Sequence, residues 1–341
     1  MARPTGLSRN GHYGRVSDAT VVRTRLWRNG VLEKEDFPFE DISDYVCQPD
    51  CLVWADLCSP TSSQLDALAE ELSLDHLAIE DAVAHYERPK VNRYASHTFL
   101  TAYALNLDRE SGQLADIQLS AFVLQHAMVT VHRDEFDIER IVRRWDENSD
   151  LLSCGVKALA WGMLDVLVDG HFEVVQALDD EIEDLEDILF DQGSQIHHLQ
   201  RRTFALRKSL VQARRAVLPM REVVNALMRR DVDIDPQLRP YYEDLYDHVL
   251  RAAEWTESLR DMVSSVFETN LSLQDARLNA IMKKLTSYTV LIAIPTAVTG
   301  FYGQNVPYPG FGRHAGFVTS VALIVGLLVL LWAGFRRKGW L

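Results

Sequence analysis

The chain has 341 residues, 47% hydrophobic and 25% charged, with a formal net charge of −14. That length and balance suit one or two globular units with sizeable cores. The acidic excess argues against nucleic acid as a partner and is compatible with handling cations.

Residues 1–19, opening MARPTGLSRNGHYGRV, contain no apolar stretch able to act as a secretory signal and read as a disordered tail. The chain is therefore expected to begin in the cytoplasm. Residues 20–150 read as a cytosolic α/β domain. In TVVRTRLWRNGVLEKED the Asn29-Gly30 step between extended segments predicts a hairpin. CLVWADL predicts a buried strand, and Ser59-Pro60 predicts the start of the helix TSSQLDALAEELSL, as N-cap and first-turn proline. VNRYASHTFLTAYALNLD and DIQLSAFVLQHAMVTVHR supply further strands, and FDIERIVRRWDEN a further helix. Asp75, His76, Glu80, Asp81 and His85 crowd one helix, which makes them either a solvated face or a metal site. Cys47, Cys51 and Cys58 form a C-x3-C-x6-C cluster that fits no standard zinc spacing. With Cys154 they are expected to be reduced cytosolic thiols. Nothing here forms a catalytic constellation, so no enzymatic activity is expected.

Residues 151–239 predict a long helical hairpin. Glu173 to Asp191 carry nine acidic residues and no basic one, whereas Gln192 to Arg230 carry nine Lys or Arg and the single acid Glu222. A Gly193-Ser194 break separates the two arms. They are expected to face each other or neighbouring subunits; the acidic arm would also concentrate cations.

Residues 240–303 predict one stalk helix that continues into a membrane span. From Tyr241 to Tyr302 at 1.5 Å per residue it would extend about 90 Å. Leu285 to Tyr302 and Ala315 to Phe335 hold no charged residue. A bilayer core needs about 20 apolar residues, so both segments qualify as spans. Lys283 and Lys284 precede the first; Arg336, Arg337 and Lys338 follow the second within the basic tail 336–341. That places both termini in the cytoplasm, with residues 304–314 as an external loop and 315–335 as the second span. Asn279, Met282, Thr286, Thr289, Ala293, Thr296 and Gly300 share one helix face at steps of three and four. The face is small and polar. It would serve close helix packing, or line a water-filled path ringed by several copies, because two spans cannot enclose a pore alone.

The loop TGFYGQNVPYPG carries a further signal. With YGQN (Tyr302 to Asn305) after the first span, the chain resembles the CorA-type divalent metal ion transporters, a two-span superfamily with a Gly-x-Asn signature. DHLAIEDA, ERPKVNRY, LDVLVDGHFEVVQALDDEIEDLED, the stalk segment and FRRKGWL are similar to other motifs of that family, in the same order. The resemblance implies an α+β cytosolic domain, an αβα sandwich, followed by long helices and two C-terminal spans in a funnel-shaped homopentamer. It implies a multi-pass protein of the cell membrane (inner or plasma membrane) whose partners are its own copies, the bilayer and divalent cations. Gly303, Gln304 and Asn305 would form the selectivity loop, meeting a hydrated cation at neutral oxygen acceptors. Asn279, Met282, Leu285, Thr289, Ala293, Thr296 and Gly300 would line the pore, with the hydrophobic constriction at Met282 and Leu285. Asp81 and Asp244 match positions that bind regulatory Mg²⁺ between subunits. The transported ion would be Mg²⁺, with Co²⁺ or Ni²⁺. Gln304 departs from the family's usual Met, and Arg313 and His314 stand in a loop without its common acid. These departures point to the zinc-transporting, possibly proton-coupled branch as the alternative cargo class, with a non-conducting membrane metal sensor as the other alternative.

Overall fold

A computed structural model of the chain describes residues 21–84, 87–108, 112–133, 136–190, 196–229, 234–304 and 307–341. The tail expected over residues 1–19 and the Gly193-Ser194 break lie outside the described residues. Contacts divide the chain into two units, Met1–Val263 and Ser264–Leu341.

The first unit is built on a seven-stranded sheet in the order β2-β1-β3-β7-β6-β5-β4. The strands are β1 (Val21–Arg28), β2 (Val31–Glu35), β3 (Cys51–Cys58), β4 (Lys90–Arg93), β5 (Thr98–Asp108), β6 (Gln113–Val123) and β7 (Ala127–His132). Only β3 and β7 run parallel; the remaining neighbours are antiparallel. Asn29 and Gly30 both take positive φ, 50° and 79°, as a tight hairpin between β1 and β2 requires. Asp56 on β3 is buried; it accepts from the Thr130 hydroxyl at 2.5 Å and lies 3.2 Å from His132 Nε2, both on β7.

Alternation along the strands sends side chains to two cores. Val53, Ala55 and Leu57 face α1 (Ile42–Val46), α2 (Ser62–Leu72) and α3 (His76–Val83). Leu52 and Trp54 face α4 (Glu139–Glu147), α5 (Val156–Phe190) and α7 (Met220–Met228). The result is an αβα sandwich. The start of α8 (Arg239–Tyr302) joins the second core through Tyr242, Leu245 and Val249. Between α5 and α7 runs α6 (Ile196–Val217), whose Arg202 pairs with Glu181 of α5 at 2.6 Å.

One local expectation is corrected. The α2 helix starts at Ser62 and is capped by Thr61, not by Ser59 with Pro60 in the first turn. Thr61 and Gln64 cap each other reciprocally: the Thr61 side chain accepts from the Gln64 N–H, and Gln64 Oε1 accepts from the Thr61 N–H at 2.9 Å. Ser59 instead ends the β3–β7 pair, its N–H donating to the His132 carbonyl at 2.8 Å, and its φ of 49° is not the extended backbone that a cap residue takes.

Trp145 of α4 packs edge-on against Trp54 at 4.9 Å and Trp27 at 6.1 Å between ring centres. Its indole N–H donates to the Leu159 carbonyl of α5 at 3.1 Å. Gly162 makes this approach possible, since a Cβ there would stand 2.6 Å from the indole ring. Arg144 on the same helix pairs with Asp165 and, at 2.7 Å, with Asp169 of α5.

The second unit contains the C-terminal part of α8 and the helix α9 (His314–Arg337). Both helices are long and apolar enough to cross a membrane. Pro295 lies inside α8 without ending it. The far end of α9 closes on Gly339, φ 67°: the Gly339 N–H donates to Arg336 and the Trp340 N–H to Phe335. This αL cap folds the Trp340 ring flat onto Phe335 at 5.7 Å.

Candidate ion path and cation sites

Within α8 the predicted stripe lies on one exposed face: Asn279, Met282, Leu285, Thr286, Thr289, Ala293, Thr296 and Gly300 are all exposed in the single chain. At 100° per residue, buried Ser287 and half-buried Leu291, Ile294 and Val298 fall on the opposite side. Two hydroxyls of the stripe, those of Thr289 and Thr296, are already committed as donors. Thr289 Oγ1 donates to the Leu285 carbonyl at 2.9 Å, and Thr296 Oγ1 to the Ile292 carbonyl at 3.0 Å. Each hydroxyl proton is thus turned back into the helix, and the outward oxygen is left as an acceptor, the polarity a cation needs. Pro295 has no N–H to give the Leu291 carbonyl four residues before it, which leaves one backbone oxygen of α8, at a residue outside the stripe, without its helical partner.

Beside the stripe runs a second pattern that the sequence reading did not single out. Phe267, Leu271, Leu278, Ile281, Leu285, Tyr288 and Ile292 are large, apolar and 43–70% exposed. With Gln274 they alternate steps of four and three, the spacing of a coiled-coil seam. The signal was legible as a heptad, but one helix carries two adjacent faces at the same spacing and the polar one drew the reading.

At the end of α8 the Gly303 N–H still donates to Thr299 at 2.8 Å, and Gln304 is exposed. Asn305 lies outside the described residues. Beyond it the loop is held by rings and by glycines. Tyr308 stacks edge-on with Tyr302 at 4.8 Å and with Phe311 at 5.2 Å. Gly310, φ 93°, touches Gly316 in the first turn of α9, where a Cβ would come within 2.5 Å of the Gly310 oxygen. Arg313 and His314 are exposed at the start of α9.

The two predicted regulatory carboxylates have separate surroundings. Asp81, in the last turn of α3, lies 2.8 Å from Lys90 Nζ, which is also 2.8 Å from Glu87. Burial disfavours the Lys90 charge, but hydrogen bonds to Asp81 and Glu87 outweigh it and hold the ammonium above its ordinary range. Asp244 is exposed on α8, 3.8 Å from His248 of its own helix. Of the acidic and histidine cluster on α3, Asp75 caps the helix through the Leu77 N–H at 2.9 Å, His76 and Glu80 are exposed, and His85 lies outside the described residues. Among the described residues no three His, Cys, Asp or Glu side chains gather closely enough to hold a metal ion within one chain. The four cysteines are free thiols. Carboxylate oxygen suits Mg²⁺, and within one chain Asp81 is paired with the Lys90 ammonium. A complete ligand set would need a second copy.

Comparison with known proteins bears on the family and the fold. A family model described as a CorA-like Mg²⁺ transporter protein matches residues 50–337. YfjQ of Bacillus subtilis is 30% identical over 94% of this chain and 97% of its own length. The cobalt/magnesium transport protein CorA of Thermotoga maritima is 28% identical over 80% of this chain and 79% of its own. The zinc transport protein ZntB of Cronobacter sakazakii is 27% identical over 96% and 97%. The solved CorA magnesium transporter of Methanocaldococcus jannaschii superposes with a TM-score of 0.74 at 24% identity, covering 95% of this chain and all of that one.

Proposed function

The chain belongs to the CorA-like family of divalent metal transporters, and from that premise we propose that it conducts Mg²⁺, with Co²⁺ or Ni²⁺ as further cargo, through a path lined by α8 of several copies. The observation that carries this reading is the exposed stripe of outward-facing hydroxyl oxygens beside an equally exposed heptad seam. Phe267, Leu271, Leu278 and Ile281 precede the span and need a cover from water, which a second α8 of the same sequence supplies, and Leu285, Tyr288 and Ile292 continue the same seam into the bilayer. Packing copies along the seam turns the neighbouring stripe toward a shared axis. We take the assembly to be a homopentamer, with both termini cytoplasmic and Gly303, Gln304 and Asn305 at the external mouth. Neutral amide and carbonyl oxygens there hold an ion that keeps its water shell, which suits Mg²⁺ because it dehydrates reluctantly. Met282 and Leu285 form the narrow apolar constriction.

Asp81 of one copy and Asp244 of the next hold a regulatory dication. Its charge offsets their mutual repulsion and favours the closed assembly, a population shift set by differential affinity. Uptake into proteoliposomes holding the purified protein, comparing Mg²⁺, Co²⁺, Ni²⁺ and Zn²⁺ with and without a pH gradient, tests the assignment. Asn305→Ala is expected to abolish uptake with the oligomer intact, and normal uptake by an assembled variant overturns the role of the loop. Asp81→Ala with Asp244→Ala is expected to weaken inhibition by millimolar internal Mg²⁺; a wild-type response rejects the pair as the gate.

A second reading takes Zn²⁺ as cargo. The observation in its favour is the mouth, where Gln304, Arg313 and His314 are exposed and no acid is present between 303 and 314. A less anionic entrance draws every dication less strongly, and the exposed His314 imidazole is a ligand that suits Zn²⁺ better than Mg²⁺. Uptake of Zn²⁺ but not Mg²⁺ under a pH gradient would select this reading.

A further inference from the structure

Lys90 is delivered to Asp81 by a fixed scaffold. It opens β4, where it pairs with Thr101 of β5, and it follows the buried Pro89. The Gln118 amide donates to the Asp81 carbonyl at 3.3 Å, and the Tyr103 hydroxyl donates to the Glu87 carbonyl. The backbones of both acids are therefore tied to buried or half-buried side chains of β5 and β6, while their carboxylates turn to one ammonium. All three charged side chains keep partial access to water, 21% for Lys90, 22% for Asp81 and 32% for Glu87. An ion pair at this partial burial gains little net stability, because the desolvation of its charges offsets much of their attraction. This trio instead has the form of a two-carboxylate cation seat occupied by a cation of the chain itself.

We propose that Lys90 is an internal competitor for the regulatory dication at Asp81, its ammonium occupying the carboxylate seat until the dication concentration is high enough to displace it. The inference rests on the reading of Asp81 as a regulatory ligand. With Lys90 in place, the Asp81–Glu87 pair carries one net negative charge; with the ammonium swung out to solvent it carries two. A dication binds the second form better, so its apparent affinity is lowered by the fraction of time the seat is free. The lysine thereby raises the concentration at which the assembly closes. A long flexible side chain suits that role, since it can leave without moving the strand that holds it.

The test uses the full-length protein in nanodiscs, with two readouts: the Mg²⁺ concentration at half-maximal protection of α8 from protease, and Mn²⁺ binding followed by electron paramagnetic resonance. Lys90→Met is expected to lower the Mg²⁺ midpoint about tenfold, as for a seat that the ammonium leaves free about a tenth of the time, and to tighten Mn²⁺ binding in parallel. Lys90→Arg, which keeps the charge, is expected to stay near wild type. Lys90→Gln repeats the measurement if Lys90→Met fails to assemble. An unchanged or raised midpoint in either assembled neutral variant overturns the proposal and leaves Lys90 as a structural ion pair. Asp81→Ala is the separate check on the underlying reading. If it leaves protection at the wild-type midpoint, Asp81 is not a regulatory ligand; if it abolishes protection while Lys90→Met changes nothing, only the competitor role fails.

Discussion

At the scale of single residues, two buried groups carry measurable consequences. Gly162 is the gap into which the Trp145 ring fits, and a methyl group there would meet Cδ1 and Nε1 at 2.6 Å. Gly162→Ala gains helix propensity but pushes the indole off its neighbours and off the Leu159 carbonyl. Denaturant titration is expected to show a net loss of about 2 kcal/mol, as overpacking does in a dense core. His171 is wholly enclosed under the sheet, with Nε2 2.7 Å from the Tyr103 carbonyl. Burial pushes its imidazole down to about 4 from 6.5. Between those values the unfolded chain binds a proton that the folded chain refuses. The stability involved is intact above about pH 6.5 and is lost as pH falls toward 4, by about 3 kcal/mol over the window. Unfolding free energies of wild type and His171→Leu, measured at pH 7.5 and pH 5, are expected to show a smaller pH effect in the variant. An equal pH effect in both would place the acid sensitivity elsewhere.

At the scale of elements, the seam on α8 makes the sharpest prediction. Leu278→Glu with Ile281→Glu puts charge into the proposed contact between copies without touching the hydroxyl stripe. The double variant is expected to run as a monomer in light scattering after detergent extraction; a variant that keeps the wild-type oligomer would show that copies meet through another face. The elements themselves differ in how plainly the sequence announces them. The nearly unbroken apolar run CLVWADL and the Asn29-Gly30 turn are local signals, and the buried strand β3 and the first hairpin follow from them. The start of α2 was misplaced by two residues because Ser-Pro imitates a cap. The T-x-x-Q of Thr61 and Gln64 was the better cue, since it satisfies two N–H groups at once. Lys90 was not legible. Its partner Asp81 lies nine residues earlier on a helix, and no periodicity links a helix end to the strand that follows. The proposed pairing of Asp81 with Asp244 would lie between copies, and within one chain the two carboxylates have different neighbours, Lys90 and His248.

At the scale of the whole molecule, the division into two units means that each can be followed by its own signal. The chain has seven tryptophans. Trp27, Trp54 and Trp145 meet edge-on in the core of the first unit, whereas Trp332 and Trp340 belong to the second and stand beside Arg336 and Phe335. Three indoles at 4.9 and 6.1 Å in fixed, nearly perpendicular orientations couple their electronic transitions. The folded sheet domain should therefore carry a strong near-ultraviolet circular dichroism band of its own. On heating in detergent that band is expected to collapse while much of the far-ultraviolet helical signal persists, because apolar spans in a micelle keep their backbone hydrogen bonds. Trp145→Phe should remove most of the band at room temperature and leave the helical signal intact. The tryptophan cluster that packs α4 onto the sheet is thus also a built-in optical label, reporting the state of the sheet domain without an added dye.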